Sequence, residues 1–147
     1  MPSQESVTDS LTFLLSKVGQ VAAGRFAEQL APLGLRPRHC AVLELLAAEP
    51  HGQLALARTI GVTPSVVVDM LDELEALGAV RRVRDTVDRR RQVIEITDEG
   101  RDLSRSAARV AGQVDVDVLG ALDPAHLGEL RKALARVAAA HRILPGG

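Results

Sequence analysis

Six arginines crowd one short stretch of this chain, Arg81, Arg82, Arg84, Arg89, Arg90 and Arg91, with only Asp85 and Asp88 among them to offset the charge. A guanidinium is a permanent cation with a planar fork of donors, so such a cluster suits phosphate oxygens and the negative potential of a DNA groove. A run of charge standing alone is most often a solvated surface. Whether this one is more than that depends on the elements that carry it. The whole-chain net charge of −1 does not decide the matter, because capture of a polyanion needs a basic surface and not a basic average.

Other chemistries find less support. His39, His51, His126 and His141 have no compact ligand spacing and no CxxC or HExxH companion, so no structural metal and no cofactor is expected. There is no Gly-rich phosphate loop and no motif around a Ser/His/Asp or Cys/His set, which argues against an enzyme. Cys40 is the single cysteine and forms no internal disulfide. On an apolar helix it reads first as a small buried hydrophobe. A redox-sensing role is the sharper alternative, with Arg38 and His39 placed to lower its pKa.

The remaining composition bounds the fold. At 147 residues, with 46% apolar content and two Phe as the only aromatics, the chain fits one mainly helical domain whose core is filled by Leu, Val, Ile and Ala. The start MPSQESVTDS lacks the basic and apolar regions of an export signal. No stretch approaches the roughly 20 apolar residues of a membrane span, so a cytoplasmic location without membrane contact is expected.

Periodicity and caps then set the elements. Leu11, Leu14, Leu15, Val18, Val21, Phe26 and Leu30 form one face of a first helix, with Thr8 or Ser10 as its N-cap. Pro37 opens a second helix, and Glu49-Pro50-His51-Gly52 ends it. A short helix from about Gln53 to Ile60, a turn at Gly61-Val62 and a helix begun by Thr63-Pro64 and closed by Gly78 make a helix-turn-helix. Its second helix faces inward with Val67, Met70, Leu71 and Leu74. Two β-prone runs, Ala79 to Arg84 and Gln92 to Thr97, enclose the arginines as a hairpin. Helices capped by Thr97 and Asp123 complete the chain before the tail Pro145-Gly146-Gly147.

The run QLALARTIGVTPSVVVDMLDELEALGAVRR, followed by DRRRQVIEITDEG, resembles the MarR (multiple antibiotic resistance regulator) family nearly throughout. Most specific is Asp88-x-Arg90 followed by the strand ending Ile96-Thr97 and the helix start Asp98-Glu99-Gly100, and the entry Gly34-Leu35-Arg36-Pro37 to the second helix also resembles the family. The resemblance implies one winged helix-turn-helix domain, mainly α with a small β-hairpin wing. Its core would span about 36–97, and its dimerisation helices about 8–31 and 98–143. It further implies a homodimeric regulator, most often a repressor, that binds a pseudo-palindromic double-stranded DNA operator through recognition helix 63–77 and wing 81–91. The apolar faces of the outer helices, more than one small core would use, agree with a dimer.

By the same resemblance Arg90 is the wing tip entering the minor groove, Asp88 orients the guanidinium groups beside it, and Arg84, Arg89 and Arg91 join the contact. The recognition helix departs from the family. Val66, Val68 and Asp69 stand where relatives carry Thr, Ser or Thr, and Arg, and Asp69, Asp72, Glu73 and Glu75 give it acids without a single Lys or Arg. Thr63, Ser65 and the helix N-terminus are left for phosphates, Val66 or Val68 for a thymine methyl, and Asp69 for a cytosine amino group. The acidity motivates a second reading, a divergent dimer with weak or no operator binding that works as a small-molecule or protein-interaction module. The family's small aromatic or lipophilic effectors bind in a crevice between dimer helices and winged module, which here would be lined by Phe13, His39, Cys40 and Val42.

Overall fold

The computed structural model describes residues 6–143, so Met1–Glu5 and the Pro145-Gly146-Gly147 tail lie outside the described residues. Six helices and one hairpin follow in the expected order: α1 (Leu11–Leu30), α2 (Pro37–Ala48), α3 (Gln53–Ile60), α4 (Pro64–Ala76), β1 (Val80–Arg84), β2 (Gln92–Ile96), α5 (Asp98–Leu119) and α6 (Pro124–Ala140). Single 3-10 turns precede and follow α1, at Val7–Asp9 and Ala31–Leu33. Of the two candidate caps for α1, Ser10 holds the position, its hydroxyl accepting from the Phe13 amide at 3.1 Å.

Side-chain caps set most other boundaries. Thr63, Thr97 and Asp123 each accept an amide from the first turn they precede, and proline occupies the start of α2, α4 and α6. Gly61 (φ +80°) makes the left-handed turn between α3 and α4, which lie 110° apart, within the helix-turn-helix range.

The core belongs to the central module. Leu43 and Leu46 of α2, Leu56 of α3, Val67, Leu71 and Leu74 of α4, and Val80 and Ile94 of the hairpin are essentially inaccessible, joined by Leu30, Leu35 and Ala107. The hairpin is antiparallel with Val80 opposite Ile96 and Arg84 opposite Gln92. His51 adds a one-residue bridge, its N–H donating to the Ile94 carbonyl at 3.1 Å and its carbonyl accepting from the Ile94 amide at 2.7 Å. A chain segment read from sequence only as a helix terminator thus anchors the wing to the end of α2.

Gly100 explains one residue of the Asp98-Glu99-Gly100 motif. A Cβ there would lie 2.0 Å from the Ala79 carbonyl oxygen, so only glycine lets the first turn of α5 seat against β1. Thr97 closes the same joint, its hydroxyl donating to the Gly78 carbonyl and accepting from the Gly100 amide at 3.0 Å.

The outer helices are less well used. α6 has no buried residue, and Leu11, Leu14, Leu15, Val18 and Val21 on α1 and Leu134 and Val137 on α6 are exposed, Leu11 at 83%. No single helix among the described residues is long and apolar enough to cross a membrane.

Candidate nucleic-acid interface

The wing tip is built on two aspartates. Asp85 Oδ1 accepts from the Val87 amide at 3.1 Å, and Asp88 Oδ1 accepts from the Arg90 amide at 3.1 Å, so each carboxylate closes a turn of the loop. Asp88 also takes the Arg90 guanidinium, through Nε at 3.1 Å and Nη2 at 3.4 Å. These bonds from Arg90, with the Arg91 charge, hold the Asp88 carboxyl below its usual range. The Arg90 side chain remains 91% exposed, aimed outward from a fixed root. Arg89 and Arg91 are exposed beside it, and Arg84 donates to the Arg89 carbonyl at 3.2 Å.

The six arginines do not act as one patch. Arg81 pairs with Glu95 across the hairpin. Arg82 reaches back to α4, donating to Asp72 at 2.9 Å and to Glu75, with its side chain only 24% exposed. Both acids hold its guanidinium proton more tightly than usual, against the opposing effect of partial burial. Charge at the base of the wing is spent within the protein, and the cations left facing outward are Arg84, Arg89, Arg90 and Arg91.

The same division resolves the acidity of α4. Asp72 and Glu75 hold Arg82, and both oxygens of Glu73 take Arg36 Nη2 at 2.5 and 2.6 Å. The buried His39, 1% exposed, lies behind Glu73 with Nε2 3.0 Å from Oε2, without the alignment of a hydrogen bond. Its Nδ1 accepts the Arg36 amide at 2.9 Å, which caps α2 and places the proton of the neutral ring on Nε2. Burial, and secondarily the Arg36 charge, lower the His39 pKa against the upward pull of Glu73. Among the described residues, Asp69 alone of the four α4 acids has no salt bridge.

At the N-terminus of α4, Thr63 and Ser65 are exposed with their hydroxyls 3.1 Å apart. Val67, Met70, Leu71 and Leu74 are buried as expected, whereas Val66 and Val68 are half-buried and Asp69 is exposed. Val66 and Asp69 border a cleft of about 530 Å³ that separates α4 from the start of α2.

The four residues expected to line an effector crevice are not brought together. Val42 and His39 are core residues at 0% and 1% exposure, because both lie on the inward face of α2. Phe13 stands apart on α1 with the Lys17 ammonium 5.7 Å above its ring. Cys40 alone borders a cavity between α1, α2 and α5, of about 130 Å³, together with Phe26. A second hollow of about 210 Å³ adjoins it on the far side of Phe26. Phe26 looks like one more member of the α1 stripe in sequence, and nothing in its spacing marks it as a cavity wall. The expectation that Arg38 and His39 lower the Cys40 pKa is also reversed: burial, then the Glu44 carboxylate, push the thiol up. Among the described residues no three His, Cys, Asp or Glu side chains form a group that could hold a metal ion.

Comparison with known proteins places this geometry. The MarR family model matches residues 36–91, the helix-turn-helix and most of the wing. The transcriptional repressor Rv2887 of Mycobacterium tuberculosis is 32% identical over 128 residues, covering 86% of this chain and 92% of its own. A MarR-family regulator from Rhodococcus sp. RHA1 superposes with a TM-score of 0.76 at 33% identity, over 91% of this chain and 97% of that one. CouR from Rhodococcus jostii RHA1, solved with p-coumaroyl-CoA, gives 0.72 at 34% identity, over 91% and 95%. Rv2887 and CouR have each also been solved with DNA, both at a TM-score of 0.75, and Rv2887 with salicylic acid. With relatives this similar matched along most of both chains, and with the family's own pattern on its helix-turn-helix and wing, the chain belongs to the MarR family of transcriptional regulators.

Proposed function

We propose that this protein is a ligand-responsive repressor that binds a pseudo-palindromic operator as a homodimer. The observation that carries the reading is the wing tip. Arg90 is held at its root by Asp88 and exposed over nearly its whole length, with Arg84, Arg89 and Arg91 around it and without the acids that neutralise Arg81 and Arg82. That arrangement suits insertion into a narrow minor groove while the N-terminus of α4 meets the adjacent major groove. Thr63 and Ser65 would contact phosphate, Val66 or Val68 a thymine methyl, and Asp69 a cytosine amino group. Rv2887 and CouR, solved on DNA, support the assignment by kinship.

The exposed apolar faces of α1 and α6 support assignment of residues 8–31 and 98–143 to a two-fold interface, which would set two recognition helices about one DNA turn, or a multiple of it, apart. A small aromatic or lipophilic effector would act in the crevice beside Phe26 and Cys40 by binding one arrangement of the two lobes better than the other. Salicylic acid on Rv2887 and p-coumaroyl-CoA on CouR support a ligand of that general kind. The reading as a divergent dimer without operator binding loses its main ground, since three of the four acids on α4 are occupied inside the protein.

The test is selection of genomic DNA fragments by the purified protein at two salt concentrations, repeated with Arg90→Ala. Enrichment of one palindromic site, weakened by salt and by the substitution, is expected. No enrichment even at low salt would return the divergent-dimer reading to first place.

A further inference from the structure

The hollows on either side of Phe26 share that ring and Ala111, so together they form one strip along the junction of α1, α2 and α5. Its floor is small and apolar, with Ala22 and Ala23 from α1 and Val114 from α5. Its charged groups are both acids: Glu44 borders the hollow on the Cys40 side and Asp115 the other. None of the side chains lining either hollow is basic. Asp115 has a distant partner, Arg131 at 3.9 Å. Glu44 has no salt bridge among the described residues and receives only the Ser104 hydroxyl, at 3.3 Å. Its field is felt locally, since it helps to keep the neighbouring Cys40 thiol protonated, and a protonated thiol is a soft apolar wall rather than a nucleophile.

We infer that this strip takes a small aromatic ammonium cation, its charged head between the Glu44 carboxylate and the Phe26 ring and its apolar body along the alanines. The chemistry is complementary on three counts. A carboxylate attracts the head by charge, an aromatic face attracts a cation through its quadrupole, and Ala-lined walls leave room for a ring. An anionic aromatic acid would set its own carboxylate against two others in a partly dry hollow, where like charges are costly. This inference rests on the effector reading above and narrows it to one class of ligand.

The experiment is titration calorimetry of the full-length dimer with two probes of matched shape and opposite charge, phenethylammonium and 3-phenylpropionate, alongside operator-release assays with each. The ammonium should bind roughly tenfold or more tighter than the carboxylate and release operator at correspondingly lower concentration. Glu44→Gln, at an exposed position, should weaken the ammonium about tenfold without shifting the melting of the free protein, and Glu44→Lys should reverse the order of the probes. If the carboxylate binds as tightly as the ammonium, or if both Glu44 variants leave the ratio unchanged, the ligand class is wrong while the effector reading stands. If neither probe binds or releases operator, both are overturned.

Discussion

Arginines so close in sequence divide into two jobs, and a pair of substitutions should separate them. Arg90→Ala removes an outward cation whose side chain bonds, among the described residues, only to Asp88. Arg82→Met removes an inward one that joins β1 to Asp72 and Glu75 of α4, while keeping most of the aliphatic stem. Binding to duplex DNA releases counterions, and the logarithm of affinity falls with the logarithm of salt concentration by about 0.9 for each phosphate neutralised. The proposed homodimer would present Arg90 twice, so Arg90→Ala should flatten that slope by about 1.8. At moderate salt its operator affinity should fall roughly 30-fold or more, the equivalent of at least about 1 kcal/mol per subunit.

Arg82→Met should behave in the opposite way. Its partners are 61% and 47% exposed, so each pair contributes about 0.2 to 1 kcal/mol, and the two together about 0.4 to 2 kcal/mol. That corresponds to a melting temperature lower by roughly 1 to 6 °C, with the salt slope unchanged. The assays are fluorescence anisotropy of a selected operator across a salt series and thermal melting of the free proteins. A slope flattened equally by both substitutions would refute the division, and so would an Arg90→Ala slope identical to wild type.

Four further outcomes follow from the same contacts. Gly100→Ala should cost several kcal/mol or abolish folding, as a Cβ 2.0 Å from the Ala79 carbonyl oxygen forces α5 away from β1; equilibrium unfolding in urea would show it, and a wild-type midpoint would contradict it. The double substitution Leu14→Glu/Val18→Glu should leave helicity intact but produce monomers in sedimentation, and an intact dimer would remove α1 from the interface. Cys40→Ser should leave operator binding insensitive to peroxide just as in wild type, because the thiol is held protonated; peroxide release of wild type alone would restore a sensing role. His39 is neutral and buried with a lowered pKa, so below its ordinary value of about 6.5 the unfolded chain takes up a proton that the folded one resists, and stability should fall as pH drops toward 5. Urea midpoints at pH 7.5 and 5.5 should differ less in His39→Gln, and an equal difference would exclude His39 as the source.

What sequence discloses here tracks the range of the interaction. Thr63-Pro64, Thr97 and Asp123-Pro124 cap their own helices within three residues, and so the starts of α4, α5 and α6 are legible from those residues alone. The buried face of α4 is equally local, since Val67, Met70, Leu71 and Leu74 repeat at helical spacing. His51 pairing with Ile94 joins positions 43 residues apart and leaves no periodic trace. The expected effector residues are scattered for a related reason. Placing Phe13, His39, Cys40 and Val42 near one another required knowing which face of α2 is inward, and His39 and Val42, three apart, share the buried one while Cys40 turns toward α5.

The acids of α4 are the instructive case, because their composition suggests the wrong property when counted along the helix. Four carboxylates without a basic neighbour look hostile to DNA, yet three of them are paired with arginines of other elements: Glu73 with Arg36 at the start of α2, 37 residues before it, and Asp72 and Glu75 with Arg82 on β1, ten residues beyond Asp72. Each link ties α4 to a neighbouring element of the winged module, α2 on one side and the wing on the other. The acids thus fix the orientation of α4 within the winged module, and the arginines that pair with them are turned toward it. A regulator built this way needs its outward wing cations more than one with a basic recognition helix would, and its affinity should fall steeply when Arg90 is removed.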